Sequence, residues 1–297
     1  MEDKIVIQQV AEEQYQGHST RKHLYVDLEK MIDKPIISFF TSFRYPVMIE
    51  DSDADMIEGI LQKSDLSNGF TLVLNSPGGD GLAAERIINI CRSYSGTNKY
   101  DVIIPSKAKS AATMISLGAS KIIMSKTSEL GSVDPQVAYV EDNKIKRFSV
   151  YNLVKSYEDL FARAVKEKGN LQPYLQQLSN YDEREIAEFK TALALSEDIA
   201  IKALKTGMLS NLSEKEIKKK IKIFLTPEKV KTHGRPIYAR DALKCGLNIE
   251  IKDLKSKFWQ LIYELYVRLN NFVSTNNIAK CIESKEHSFK AKMEVKK

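Results

Sequence analysis

Cysteine is scarce: three in 297 residues, at Cys91, Cys245 and Cys281. An odd number at wide spacing excludes a disulfide framework and a zinc ribbon, and reads as reduced thiols in a cytosol. No stretch approaches the ~18 consecutive apolar residues that cross a bilayer. The start, Met1-Glu2-Asp3-Lys4, lacks the basic and apolar regions of a secretory signal. The expected location is therefore cytoplasmic. No Walker motif or metal-ligand cluster stands in the sequence, so neither a metal nor a nucleotide cofactor is expected. Disorder is excluded by what is present: 43% apolar residues, with 13 Tyr and 11 Phe.

Charge of one sign is absent from most of the chain. The net charge of +6 resides in two segments. Residues 214–231 hold seven lysines against three glutamates, and residues 274–297 hold six against three. The remainder has 32 basic and 33 acidic residues. A nucleic-acid groove would interleave basic residues with aromatics, so no specific nucleic acid is expected, and Lys218-Lys219-Lys220 reads as a solvated helix face.

Apolar runs and turn residues alternate from residue 35 onward. Strands are expected over 35–40, 70–74, 102–104 and 121–124, with a last one at Leu247-Asn248-Ile249. The near-continuous apolar run Phe70-Thr71-Leu72-Val73-Leu74 is typical of a buried parallel strand. Helical spacing is read after the caps Asp51-Ser52-Asp53, through Leu82–Cys91, and from Ser110 to Leu117. This alternation predicts an α/β fold, a parallel sheet with crossover helices. Long helices follow over 149–168 and 182–207. Trp259, Ile262, Leu265, Tyr266, Leu269 and Phe272 then give a terminal amphipathic helix. Docking on protein is its favoured reading, and peripheral membrane contact beside Lys252, Lys255 and Lys257 the lesser one.

Two loops follow consecutive parallel strands, on the side of such a sheet where ligands bind. In Asn75-Ser76-Pro77-Gly78-Gly79-Asp80, the paired glycines let backbone N–H groups approach a ligand, as an oxyanion requires. In Ala108-Lys109-Ser110-Ala111-Ala112-Thr113, a serine stands at a strand-to-helix junction among small residues, which suits a nucleophile. Taken singly, the first is an ordinary turn and the second an ordinary helix cap.

Together these stretches resemble the Clp-protease/crotonase superfold, whose repeated ββα units build the sheet, and more closely the serine dehydrogenase proteinase family, relatives of signal peptide peptidase A. Four stretches carry the resemblance: Ile49–Ser52, Ser76–Gly79 with Ala83-Ala84-Glu85, Leu130-Gly131-Ser132-Val133-Asp134-Pro135-Gln136, and Thr232-His233 leading to Ala242–Leu247. It spans about 36–250, with 1–35 as an N-terminal arm and 251–297 as an amphipathic helix with a basic tail. The resemblance implies a serine peptidase in which Ser110 is the nucleophile and the N–H groups of Gly79 and Ala111, beside Gly78, form the oxyanion hole. It also implies a peptide or protein substrate and a homo-oligomer. The chain departs from the family pattern at Ala112-Thr113, where a glycine or similar residue is usual, and in showing no N-terminal membrane span.

A Clp-type triad is not expected, because 129–136 holds no histidine. The relatives' Ser-Lys dyad points to Lys155, with Lys202 in reserve, Lys109 less suitable, and His233 a lesser alternative. A lysine base must lose about 3.4 pKa units from ~10.4, which burial among apolar groups supplies. Two rival readings keep the fold: a non-catalytic scaffold or binding protein in which Ser110 only caps its helix, and an acyl-CoA enzyme, which the Pro-Gly-Gly and serine pairing disfavours.

Overall fold

The computed structural model describes residues 4–13, 15–96, 100–141, 144–227, 234–275 and 277–293. Its strands are β1 (Ile36–Thr41), β2 (Phe70–Asn75), β3 (Tyr100–Ile104), β4 (Lys107–Ala108), β5 (Lys121–Met124), β6 (Glu129–Leu130), β7 (Gln136–Glu141), β8 (Lys144–Ser149), β9 (Ile237–Tyr238), β10 (Ile249–Ile251), β11 (Ile278–Glu283) and β12 (Ser288–Lys292). The central sheet runs β10-β5-β3-β2-β1-β11-β12. Its first five strands pair in parallel, and β11 and β12 add an antiparallel edge. A small sheet, β4-β6-β9, and the hairpin β7-β8 stand apart from it.

Period-two alternation along each buried strand divides the core into two faces. Ile37, Phe39, Phe70, Leu72, Leu74, Val102, Ile104, Ile122 and Met124 belong to one cluster. Helices α3 (Asp51–Leu61), α4 (Gly81–Ser95), α5 (Ala111–Leu117) and the end of α8 (Glu183–Lys205) contribute to it. Ile36, Phe40, Val73, Ile103 and Ile123 point the other way, into a cluster with α2 (Lys22–Ile32) and α12 (Lys257–Phe272). The remaining helices are α1 (Val6–Glu12), α6 (Val150–Lys166), α7 (Gln172–Leu178), α9 (Glu214–Lys220), α10 (Lys222–Leu225) and α11 (Ala239–Lys244).

The terminal amphipathic helix docks on its own sheet: Phe258, Trp259, Ile262, Leu265, Leu269 and Phe272 are all buried. Ile262→Val should therefore cost about 0.5–1.5 kcal/mol, read as a lower urea midpoint with an unchanged m-value. The last strand starts two residues later than expected. Leu247 belongs to the turn that ends α11, its N–H bonded to the Ala242 carbonyl, so pairing with β5 begins at Ile249. The lysine run 218–220 forms an exposed turn of α9.

The segment expected to be a basic tail folds in part as β11 and β12. All six residues of β11 are buried, including Lys280 and Glu283. Lys280 Nζ lies 2.6 Å from Glu50 and 3.0 Å from Asp53. Glu283 receives both Nε (2.7 Å) and Nη2 (2.8 Å) of the fully buried Arg21. These pairings make a strand of a stretch expected to be a basic tail.

The three thiols are free and buried, and burial pushes Cys91 up to about 12 and Cys245 to about 11. Among the described residues no helix is long and apolar enough to cross a membrane.

Candidate active site

The turn after β2 is fixed on both sides by backbone pairing. Ser76 N–H donates to the Lys107 carbonyl (3.0 Å), and Lys109 N–H donates to the Ser76 carbonyl (3.0 Å). On the opposite side Ile49 N–H donates to Gly78 O (2.9 Å), and Asp80 N–H donates to Ile49 O (2.9 Å). A Cβ on Gly79 would fall 2.3 Å from the Ile49 backbone, so only glycine permits this approach. Because Ile49 bonds to residues 78 and 80, the Gly79 N–H faces away from it. Among the described residues no hydrogen bond takes up that N–H.

Gly78 has φ +103°, and a Cβ there would lie 2.6 Å from the Lys109 carbonyl and 2.7 Å from Ser110 Cβ. The glycine turn and the serine turn are thus in direct contact. Ser110 itself has φ 49° and ψ −118°, a conformation unusual for a residue with a side chain. Such strain is characteristic of serines lifted out at a sharp strand-to-helix turn. Its hydroxyl makes no cap hydrogen bond to α5, nor any other among the described residues. The reading of Ser110 as a plain helix cap therefore loses its physical basis. Ala111, the first residue of α5, has an N–H that likewise meets no acceptor among the described residues.

A buried hydroxyl braces the serine turn. Thr113 Oγ1 donates to the Ala108 carbonyl (2.8 Å) and accepts the Gly131 N–H (3.1 Å). It ties the residues before Ser110 to the end of β6, which also pairs with β4. Thr113 thus has a structural role. Thr113→Val keeps the shape but leaves the buried Gly131 N–H without an acceptor. It should cost about 1–3 kcal/mol, whereas Thr113→Ser should stay near the parent in the same urea titration.

Gly78, Gly79 and Ser110 line one groove of about 640 Å³. Residues 42–48, Pro135, and Gln136–Ala138 with Arg147 of the β7-β8 hairpin also line it. Neither Lys155 nor Lys202 is among its lining residues. Lys155 is exposed on α6, the helix that continues the hairpin. Lys202 is exposed on α8, 2.6 Å from Asp198, and that hydrogen bond and charge raise its pKa, the reverse of what a base needs. Lys109 turns from Ser110 toward Glu129 (2.9 Å) and the Leu130 carbonyl (3.2 Å). His233 lies outside the described residues.

The groove residues that sequence reasoning missed include Arg44, Phe43 and Arg147. In Ile145-Lys146-Arg147-Phe148 two adjacent charges break the period-two pattern of a strand, so nothing local marks Arg147. Nothing local marks Arg44, whose position depends on how 42–48 leaves β1.

Residues 30–159, fewer than half of the chain, match the family described as ClpP-like SDH-type serine proteinase. Two uncharacterized proteins of Methanocaldococcus jannaschii are similar. One is 36% identical over 103 residues, covering 35% of this chain and 32% of the relative. The other is 28% identical over 222 residues, covering 73% of this chain and 62% of the relative. The chain thus spans about a third of one relative and somewhat under two thirds of the other. A solved membrane-bound stomatin-specific protease, in a serine-to-alanine variant, aligns with 69% of this chain and 75% of its own at a TM-score of 0.35 and 14% identity. That likeness is too distant to carry an argument.

Proposed function

We propose that this chain, whose residues 30–159 match the ClpP-like SDH-type serine proteinase family, hydrolyses peptide bonds with Ser110 as nucleophile. The observation that carries the reading is a strained serine in the groove whose hydroxyl has no partner among the described residues, beside the N–H groups of Gly79 and Ala111, which meet no acceptor among them. Ser110 Oγ attacks the substrate carbonyl and gives its proton to a base. The N–H groups of Gly79 and Ala111 receive the negative charge that develops on the carbonyl oxygen. Collapse of the tetrahedral species expels the amine, which takes the proton, and leaves an acyl-Ser110 ester. Water, deprotonated by the same base, hydrolyses the ester and restores the serine.

Lys155 is the proposed base. Val150 directly follows the hairpin, and five residues at 1.5 Å each place Lys155 about 7.5 Å along α6. The hairpin must close over the groove to bring it to Ser110, which would also bury and neutralise it. Such closure completes many catalytic sites only when substrate is bound. Self-association, implied by the resemblance, belongs to the same proposal.

The test is to incubate the chain with an unstructured protein, without metal or nucleotide, and to map new termini by mass spectrometry. Cleavage that disappears in Ser110→Ala supports the reading, and no cleavage by the parent chain overturns it. For the base, Lys155→Arg should be inactive, since a guanidinium stays charged. A fully active Lys155→Met removes Lys155 from the mechanism, and loss in His233→Ala would then restore a histidine base.

A further inference from the structure

We infer that the groove around Ser110 selects acidic polypeptide segments, with Asp or Glu flanking the bond to be cut. This deepens the peptidase reading and rests on it.

The only charged side chains among the described residues lining the groove are Arg44 and Arg147, one from residues 42–48 and one from the β7-β8 hairpin. Both carry the same charge, in a chain whose acidic residues outnumber its basic ones by one outside the two lysine-rich segments. The cationic groove is therefore local and not a reflection of net charge. Arg147 stands across from Ala138 in the hairpin, and its guanidinium has no hydrogen bond or ion pair among the described residues. Arg44 donates through Nη1 to the Ser274 carbonyl (3.1 Å), a neutral acceptor that leaves its charge uncompensated. Lys107 Nζ lies 5.9 Å from the centre of the Phe43 ring at the same rim and adds a third positive charge.

No carboxylate is among the groove's described lining residues. Of those nearest in sequence, Glu50 is paired with Lys280 (2.6 Å), while Asp80 and Asp134 accept neutral donors, the Leu82 N–H (2.7 Å) and the Ser149 hydroxyl (2.8 Å). Arg44 and Arg147 thus each offer a guanidinium with donor capacity free for a carboxylate, the group that its planar fork suits best. The exposed Phe43 and Met48 give the same groove apolar surface for neighbouring side chains. A lysine or arginine beside the scissile bond would meet like charge from Arg44 and Arg147, with no acid among the described lining residues, which discriminates against basic segments.

The experiment uses three quenched fluorogenic peptide libraries that differ only at the residues flanking the cleavable bond: Asp/Glu, Asn/Gln or Lys/Arg. The full chain should cleave the acidic library with kcat/KM about 5-fold above the neutral one, as expected for a solvent-accessible ion pair, and the basic library more slowly still. The acidic advantage should shrink at 0.5 M salt, where screening is strong. Arg147→Glu should reverse the ranking of acidic and basic libraries, and Arg44→Gln should weaken the acidic preference. Equal rates for acidic and neutral libraries, or a ranking untouched by Arg147→Glu, would overturn the inference while leaving the peptidase reading intact. A parallel binding measurement keeps the two separable. A labelled acidic peptide is titrated into Ser110→Ala by fluorescence anisotropy, against its amide counterpart. Tighter acidic binding without cleavage of any library by the parent chain supports the groove's selectivity and overturns the peptidase reading. Absence of both overturns both.

Discussion

Alanine at position 110 should lower kcat for peptide hydrolysis by about 10⁴- to 10⁶-fold, the scale seen when a serine nucleophile is removed. The expectation rests on position: Ser110 is the hydroxyl where the two strand-end turns meet. Stability should hardly move, within about 0.5 kcal/mol, because the side chain is only part-buried and makes no cap bond. Ser110→Gly should be more stable than the parent by about 1 kcal/mol, since φ 49° with ψ −118° is strained for any residue with a Cβ. Denaturant titrations beside rate measurements check both halves. A variant at 110 that loses activity and stability together would mean that the serine holds the turn rather than performs chemistry.

The second large effect concerns the buried pair that fastens both termini to the sheet. Arg21, in the arm, forks onto Glu283 of β11. Tyr25 OH (3.0 Å) and Ser288 Oγ (2.9 Å) donate to the same carboxylate, and Phe272 of α12 covers the guanidinium at 4.5 Å. Removing one partner leaves a buried charge alone, so Glu283→Gln should cost about 3–5 kcal/mol. A double replacement, Arg21→Met with Glu283→Leu, should recover much of that loss, because an apolar pair strands no charge.

The pH dependence follows from the same contact. Burial acts to raise the Glu283 carboxyl, but the Arg21 hydrogen bonds and charge outweigh it and hold the pKa below the ordinary glutamate value. A depressed folded pKa contributes stability that is full above the unfolded value, about 4.3, and is lost as pH falls through the folded value. The parent chain should therefore lose urea resistance below about pH 4.3 more steeply than Glu283→Gln. Parallel slopes for the two proteins would contradict this assignment.

Strands buried on both faces were legible because a continuous apolar run, as in 70–74, suits no other short element. The same logic failed for β11. Ile278-Ala279-Lys280-Cys281-Ile282-Glu283 carries two charges whose partners, Glu50 with Asp53 and Arg21, lie more than two hundred residues away in sequence. No local pattern announces such long-range compensation. The two glycines and Ser110 were legible because their demands are local: a positive φ, a close backbone approach, a sharp turn between strand and helix. The base was not, because a lysine's role depends on what surrounds it, and the three lysines considered differ little in sequence. Arg147 was obscured for a related reason. A strand's side chain faces a groove or solvent according to register, and the register of the hairpin is set where Gln136 meets Ser149.

The most direct test of the central claim is covalent labelling. A fluorophosphonate phosphonylates a serine only where a base and oxyanion donors activate its hydroxyl. Digestion and mass mapping of the treated full chain should find one adduct on Ser110, absent from Ser110→Ala and slowed in Lys155→Met. An unlabelled chain, or an adduct on another serine that persists in Ser110→Ala, would contradict the account.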